Sequence, residues 1–185
     1  METTATIQKT KWAIDPMHSE VQFKVKHLLI STVTGSFKSF NGSATTKNEN
    51  FEDAEIHFSL DVNSIDTNQE MRDKHLKAAD FFEAEKHPRI DFQSTSFKKA
   101  KGDEYILTGN LSMKGVTKQI VLKAEFGGVA KDGQGNFKAG FEVSGIINRK
   151  DFGVSYNALT ETGGLALGEE VKLIANLQLA KEVKK

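Results

Sequence analysis

Apolar side chains recur at every second position over most of this chain, and a period of two places them on one face of extended strands. Val21, Phe23, Val25 and His27 alternate with Gln22, Lys24 and Lys26, and Ala54, Ile56, Phe58, Leu60 and Val62 alternate with Glu55, His57, Ser59 and Asp61. The same parity runs through Ile90 and Phe92, then Tyr105, Leu107 and Leu111, then Ile120, Leu122, Ala124 and Phe126. It continues through Phe137, Ala139, Phe141, Val143, Gly145 and Ile147, and through Val171, Leu173, Ala175, Leu177 and Leu179. Roughly eight strands with one apolar face specify an all-β, antiparallel domain, either a two-sheet sandwich or a closed up-and-down barrel. A barrel of that size is either packed with side chains or just wide enough for one small ligand.

The connections fit this reading. Lys101-Gly102-Asp103, Lys114-Gly115 and Asp132-Gly133-Gln134-Gly135-Asn136 supply the positive-φ residues of tight hairpins. Between Val33 and Thr46 the period slips, with Gly35 and Phe37 on one parity and Phe40 and Gly42 on the other, so a bulge or bend is expected there. Two long connections break the pattern. After residue 62, Thr67-Asn68-Gln69-Glu70 has the spacing of a capping box before Met71 to Ala78, which predicts a short helix, then Phe81-Phe82 and a turn at His87-Pro88. Asn148 to Gly168 has no clear period and holds Arg149-Lys150-Asp151-Phe152-Gly153 and Gly163-Gly164. Long connections in a compact domain are more often functional than idle.

The 185 residues read as a single domain, 1–185, with an ordered core from about 11 to 181. Lys+Arg and Asp+Glu balance at 25 each, so no global field favours phosphate backbones or anionic head groups. Nucleic-acid or membrane-surface binding would need a local patch, none stands out in the sequence, and no nucleic-acid partner is expected. Cysteine is absent, which removes disulfides, thiolate metal sites and cysteine nucleophiles. No apolar run approaches the roughly 20 residues of a membrane-spanning helix. The N-terminal residues lack the basic and apolar regions of a secretory signal, which gives cytoplasmic localisation as the expectation.

Phenylalanine supplies 13 of the 16 aromatic residues and offers ring area without a polar handle, which suits either a packed core or the wall of a hydrocarbon site. The five histidines show no HExxH or paired spacing that would preset a metal. His57 reads as surface and His87 as a turn residue, while His27 shares the apolar parity of its strand. No G-x-S-x-G and no P-loop is present, and the asparagine sequons at 41 and 110 read as chance. His18, following Asp15-Pro16-Met17, and the cations Arg72 and Lys74, Arg149 and Lys150 in the long connections are the candidates for meeting a polar head group.

Laid end to end, several ordered segments resemble one known family. They are Trp12-x-Ile14-Asp15-Pro16-x-His18-Ser19-x-Val21-x-Phe23-x-Val25-x-His27, Val33-x-Gly35-x-Phe37-x-x-Phe40-x-Gly42, and Arg72-Asp73-x-His75-Leu76 followed by Phe81-Phe82. His87-Pro88-x-Ile90-x-Phe92-x-Ser94, Gly109-Asn110-Leu111-x-Met113-Lys114-Gly115-Val116-Thr117 and Asn148-Arg149-x-Asp151-Phe152-Gly153 complete the set. Together they resemble the YceI-like family of polyisoprenoid-binding, lipocalin-like proteins from Trp12 to Leu179. The resemblance implies an eight-stranded antiparallel up-and-down barrel whose apolar lumen holds a long-chain isoprenoid or other fatty amphiphile. It implies no metal, no cofactor and no catalytic residue, and a homodimer in many members. Many relatives are secreted or periplasmic.

On parity, the residues expected to line that lumen are Phe23, Val25, His27, Phe58, Leu60, Met71, Leu76, Phe81, Phe82, Phe92, Leu107, Leu111, Leu122, Phe126, Phe141, Val143 and Leu173. His18, Arg72 and Arg149 are the expected head-group contacts. The primary expectation is a carrier or sequestering protein and not an enzyme. Its rivals are a hydrolase or isomerase with His27 or His18 as base, and a packed barrel serving as an interaction scaffold.

Overall fold

The computed structural model of the protein describes residues 8–47, 50–157 and 166–183. Gly163 and Gly164 and the first seven residues, which entered the sequence reading, lie outside this set.

The chain winds into eight antiparallel staves, each beside its neighbour in sequence. The first three are broken in two. β1 (Lys9–Ile14) and β2 (Glu20–His27) form the first stave, β3 (Ser31–Phe37) and β4 (Phe40–Lys47) the second, and β5 (Asn50–Asp61) and β6 (Ile65–Asp66) the third. β7 (Arg89–Lys99), β8 (Glu104–Met113), β9 (Val116–Lys131), β10 (Phe137–Asn148) and β11 (Leu167–Lys181) follow. β11 closes the barrel by pairing with β2 through Leu173↔Phe23 and with β1 through Leu179↔Ile14. Full closure leaves no sheet edge around that girdle. Of the two architectures open on period alone, the chain adopts the barrel.

Each break has a local cause. Pro16 cannot donate to the ladder, and the Asp15 carboxylate accepts from the Met17 backbone N–H at 3.0 Å, turning Pro16–His18 into a single 3₁₀ turn. Ser19 repairs the ladder by accepting from the Gln178 N–H at 2.9 Å. The expected slip between Val33 and Thr46 is the Lys38–Ser39 bend between β3 and β4. At Val62–Ser64 the Asp61 carboxylate accepts from the Asn63 N–H. Beyond that turn the third stave is only the two residues of β6, so the Ser31–Gly35 part of β3 has β2 on one side and no strand on the other among the described residues.

One end of the barrel is plugged by aromatic rings. Trp12 and Phe51 lie 5.2 Å apart, Phe51 and Phe141 5.0 Å, Phe126 and Phe141 5.0 Å, and Phe97 stacks on Tyr105 at 4.7 Å. The other end is covered by the two long connections. The first contains α1 (Glu70–Lys77), the expected short helix, although the capping box does not form. Gln69 occupies the cap position without a side-chain bond, while the Asp73 carboxylate reaches back to the Thr67 N–H and hydroxyl. The two connections meet in a ring trio in which His75, Phe81 and Tyr156 lie 5.0 to 5.1 Å apart. Lys114, in the β8–β9 hairpin, ties them by donating to the carbonyls of Ala79 and Gly153.

Candidate functional site: an apolar tube along the barrel axis

Between the aromatic plug and the covering connections runs a cavity of about 240 Å³. Its wall on β10 extends from Phe141 to Ile147, six residues of rise or roughly 20 Å along the strand. A cavity lined along this much of a strand can receive an extended chain. The wall carries no exposed polar surface.

Fourteen of the seventeen expected residues line it: Phe23, Val25, Phe58, Leu60, Leu76, Phe81, Phe82, Phe92, Leu107, Leu111, Leu122, Phe141, Val143 and Leu173. Strand residues reach it because the pleat alternates side chains across the wall. Leu76, Phe81 and Phe82 reach it because the first long connection folds over the opening, with Phe82 against Phe37 at 6.3 Å.

Three expected residues do not line the tube. His27 is exposed, because its strand runs past the end of the wall into the β2–β3 turn, where alternation no longer separates inside from outside. Met71 is 83% exposed, on the face of α1 turned to solvent. Phe126 packs into the rings of the plug, between Phe51 at 5.5 Å and its registered partner Phe141 at 5.0 Å, and those two rings border the tube in its place. Phe137 shares the inward parity but sits at the strand end, exposed beneath the ammonium groups of Lys131 and Lys181.

The wall also contains residues that parity did not single out, among them Phe51, Phe97, Val154 and Leu167. A register shift between Ser94 and Ser96 carries Phe97 onto the inner face, and Asp53, at φ 66°, interrupts the alternation between Phe51 and Ala54. Val154 and Leu167 belong to the aperiodic connection and its exit, where no period exists to read.

The candidate head-group residues separate. His18 is exposed and its Nδ1 lies 2.8 Å from the Asp15 carboxylate. Arg72 donates from Nε to the Thr67 hydroxyl and from Nη2 to the Thr67 carbonyl, and does not border the tube. Arg149 alone borders it, and it is the one charged side chain buried among the described residues. Its guanidinium donates to the carbonyls of Gly168, Val154 and Tyr156 at 2.8 Å each. Those bonds clamp the second long connection to the start of β11. Burial holds the guanidinium below the usual arginine range, with Glu169 acting in the opposite sense. Lys150 pairs with Glu169 at 2.7 Å, outside the tube, and Lys74 is exposed.

Among the described residues no cluster of three or more His, Asp or Glu side chains could hold a metal. No described helix is long and apolar enough to cross a membrane.

Residues 12–179 match the YceI-like domain family. Protein YceI of Salmonella newport is 39% identical over 178 residues, spanning 95% of this chain and 90% of that protein. A YceI protein of Campylobacter jejuni has the same fold with a TM-score of 0.70 at 33% identity, over 87% of this chain and 91% of that one. A polyisoprenoid binding domain from Saccharophagus degradans, implicated in plant cell wall breakdown, superposes with a TM-score of 0.68. At 14% identity, over 92% of this chain and 98% of that one, it shares the fold.

Proposed function

Because this chain belongs to the YceI-like family, we propose that its tube binds a long-chain isoprenoid or a similar fatty amphiphile, which the protein carries or sequesters without changing it chemically. The observation that carries this reading is the wall itself, which follows β10 over roughly 20 Å and turns no polar surface into the cavity. The structural similarity to a polyisoprenoid binding domain supports the same ligand class.

The energetics are sufficient. At about 0.8 kcal/mol per buried methylene, ten methylenes contribute ~8 kcal/mol, which corresponds to roughly micromolar binding before the cost of ordering the chain. A carrier also fits the placement of the histidines. Neither His18 nor His27, the bases named for a hydrolase or isomerase, borders the tube, and His57, which does touch its wall, is exposed on the outer side of β5.

The test is to purify the protein without detergent, compare its native and denatured masses, and extract any difference for lipid analysis. A prenyl or fatty chain in roughly stoichiometric amount supports the proposal. Equal masses, together with failure of added prenyl alcohols and phosphates to bind, would sink it in favour of a packed scaffold.

A further inference from the structure

The β2–β3 hairpin extends past the end of β6 and ends in three consecutive apolar residues, Leu28, Leu29 and Ile30. Leu29 is 81% exposed and Ile30 85%. Consecutive exposed apolar residues at a turn break the ordinary pattern of a protein surface. The backbone makes the choice more costly, because Leu28 and Leu29 sit at φ 52° and 62°, in the left-handed region that glycine or asparagine occupies readily and leucine does not. Such local inconsistency is the mark of a working surface.

The same hairpin carries its own charge. Lys24 and Lys26 are exposed on its outer face, and the register sets Lys24 directly opposite Lys172 of β11. Like charges in that position repel. None of the three has an ion-pair partner among the described residues. Of the nearby acids, Glu169 is paired with Lys150, leaving exposed Glu170 beside them. An anionic lipid surface would relieve the repulsion between the lysines while receiving the apolar tip. The inner face of the hairpin meets the tube, since Val25, three residues before Leu28, is part of the wall.

We propose that the Leu28–Ile30 tip is a membrane-docking element that seats this end of the barrel on an anionic bilayer, so that an apolar chain passes between lipid and tube without crossing water. The passage of the chain rests on the binding function proposed above; the docking does not.

The experiment measures partition of the full-length protein onto phosphatidylcholine vesicles with and without phosphatidylglycerol, alongside capture of a fluorescent prenyl probe in vesicle-free buffer. The native protein partitions onto the anionic vesicles, and more weakly as salt rises. The double variant Leu29→Asp with Ile30→Asp partitions about tenfold more weakly or worse. It keeps the native thermal melt and the native probe capture. Leu29→Phe retains partition. Absence of native partition, or equal partition by the Asp variant, overturns the proposal. So does a native dimer that the Asp variant dissociates without any loss of partition, which would identify a second copy of the chain as the occupant of the tip. If partition depends on the tip but neither protein captures the probe, docking stands and the binding reading fails.

Discussion

The Phe23 ring lies directly over Gly35, its registered partner across β2 and β3, and a Cβ at position 35 would overlap the ring. Glycine at this position is what allows a phenylalanine to lie against the wall and leave the axis of the tube open. Gly35→Ala therefore pushes Phe23 inward. The expected cost is about 1–3 kcal/mol, together with weaker binding of long chains. A variant with native melting temperature and native chain affinity would show that the ring has somewhere else to go.

Charge in the wall tests the tube itself. Phe58→Asp or Phe92→Asp places an unpaired carboxylate among apolar side chains, and abolishes uptake of a prenyl chain. Val143→Trp, which fills the tube without adding charge, supplies the control for misfolding. It retains the fold and shortens the longest chain accepted. Retained uptake of long chains by folded forms of all three would place the ligand elsewhere.

Arg149 is expected to act through architecture. Arg149→Met strands the carbonyls of Val154, Tyr156 and Gly168 beside an apolar residue, at a cost of about 2–4 kcal/mol. Lysine cannot reproduce the planar set of donors, so Arg149→Lys restores little of the loss. Denaturant unfolding measures both. A neutral Met variant would mean that the carbonyls find other partners.

Acid sensitivity should come from a small number of carboxylates. The hydrogen bond from His18 holds Asp15 below the usual carboxylate range, with the Met17 N–H adding to it against the effect of burial. Lys150 does the same for Glu169, and the backbone N–H of Asn136 for Asp132. A pKa lowered in the folded state means that the unfolded chain binds protons first as pH falls. Their stabilisation is thus complete above the ordinary carboxylate pKa of about 4 and is lost as pH drops through the folded values. Thermal melts from neutral to strongly acidic pH should show a plateau and then a decline, shallower in Asp15→Asn and Glu169→Gln than in the native protein. Equal slopes in all three proteins would assign the acid limb to other groups.

The barrel wall was legible because period two is a direct consequence of the pleat, and every strand long enough to alternate declared its inner face. Legibility ended where alternation did. His27 keeps the apolar parity but overruns the end of the wall, and Phe126 keeps it but is taken up in the packed rings of the plug. Phe97 was hidden by the shift at Ser94–Ser96. Met71 lies on a helix, where strand parity does not apply, and the helix turns that face to water. The three head-group candidates could not be separated in sequence, because their positions depend on folded connections. Asp15 and Thr67 hold two of them, and only Arg149 reaches the tube.

The most direct measurement is an affinity series over prenyl alcohols of increasing length at constant head group, titrated in vesicle-free buffer. A chain seated in the tube binds more tightly with each added isoprene unit, by about tenfold or more, until the tube is full, and then gains nothing further. An affinity that ignores length, or no binding at any length, would contradict a chain held along the barrel axis.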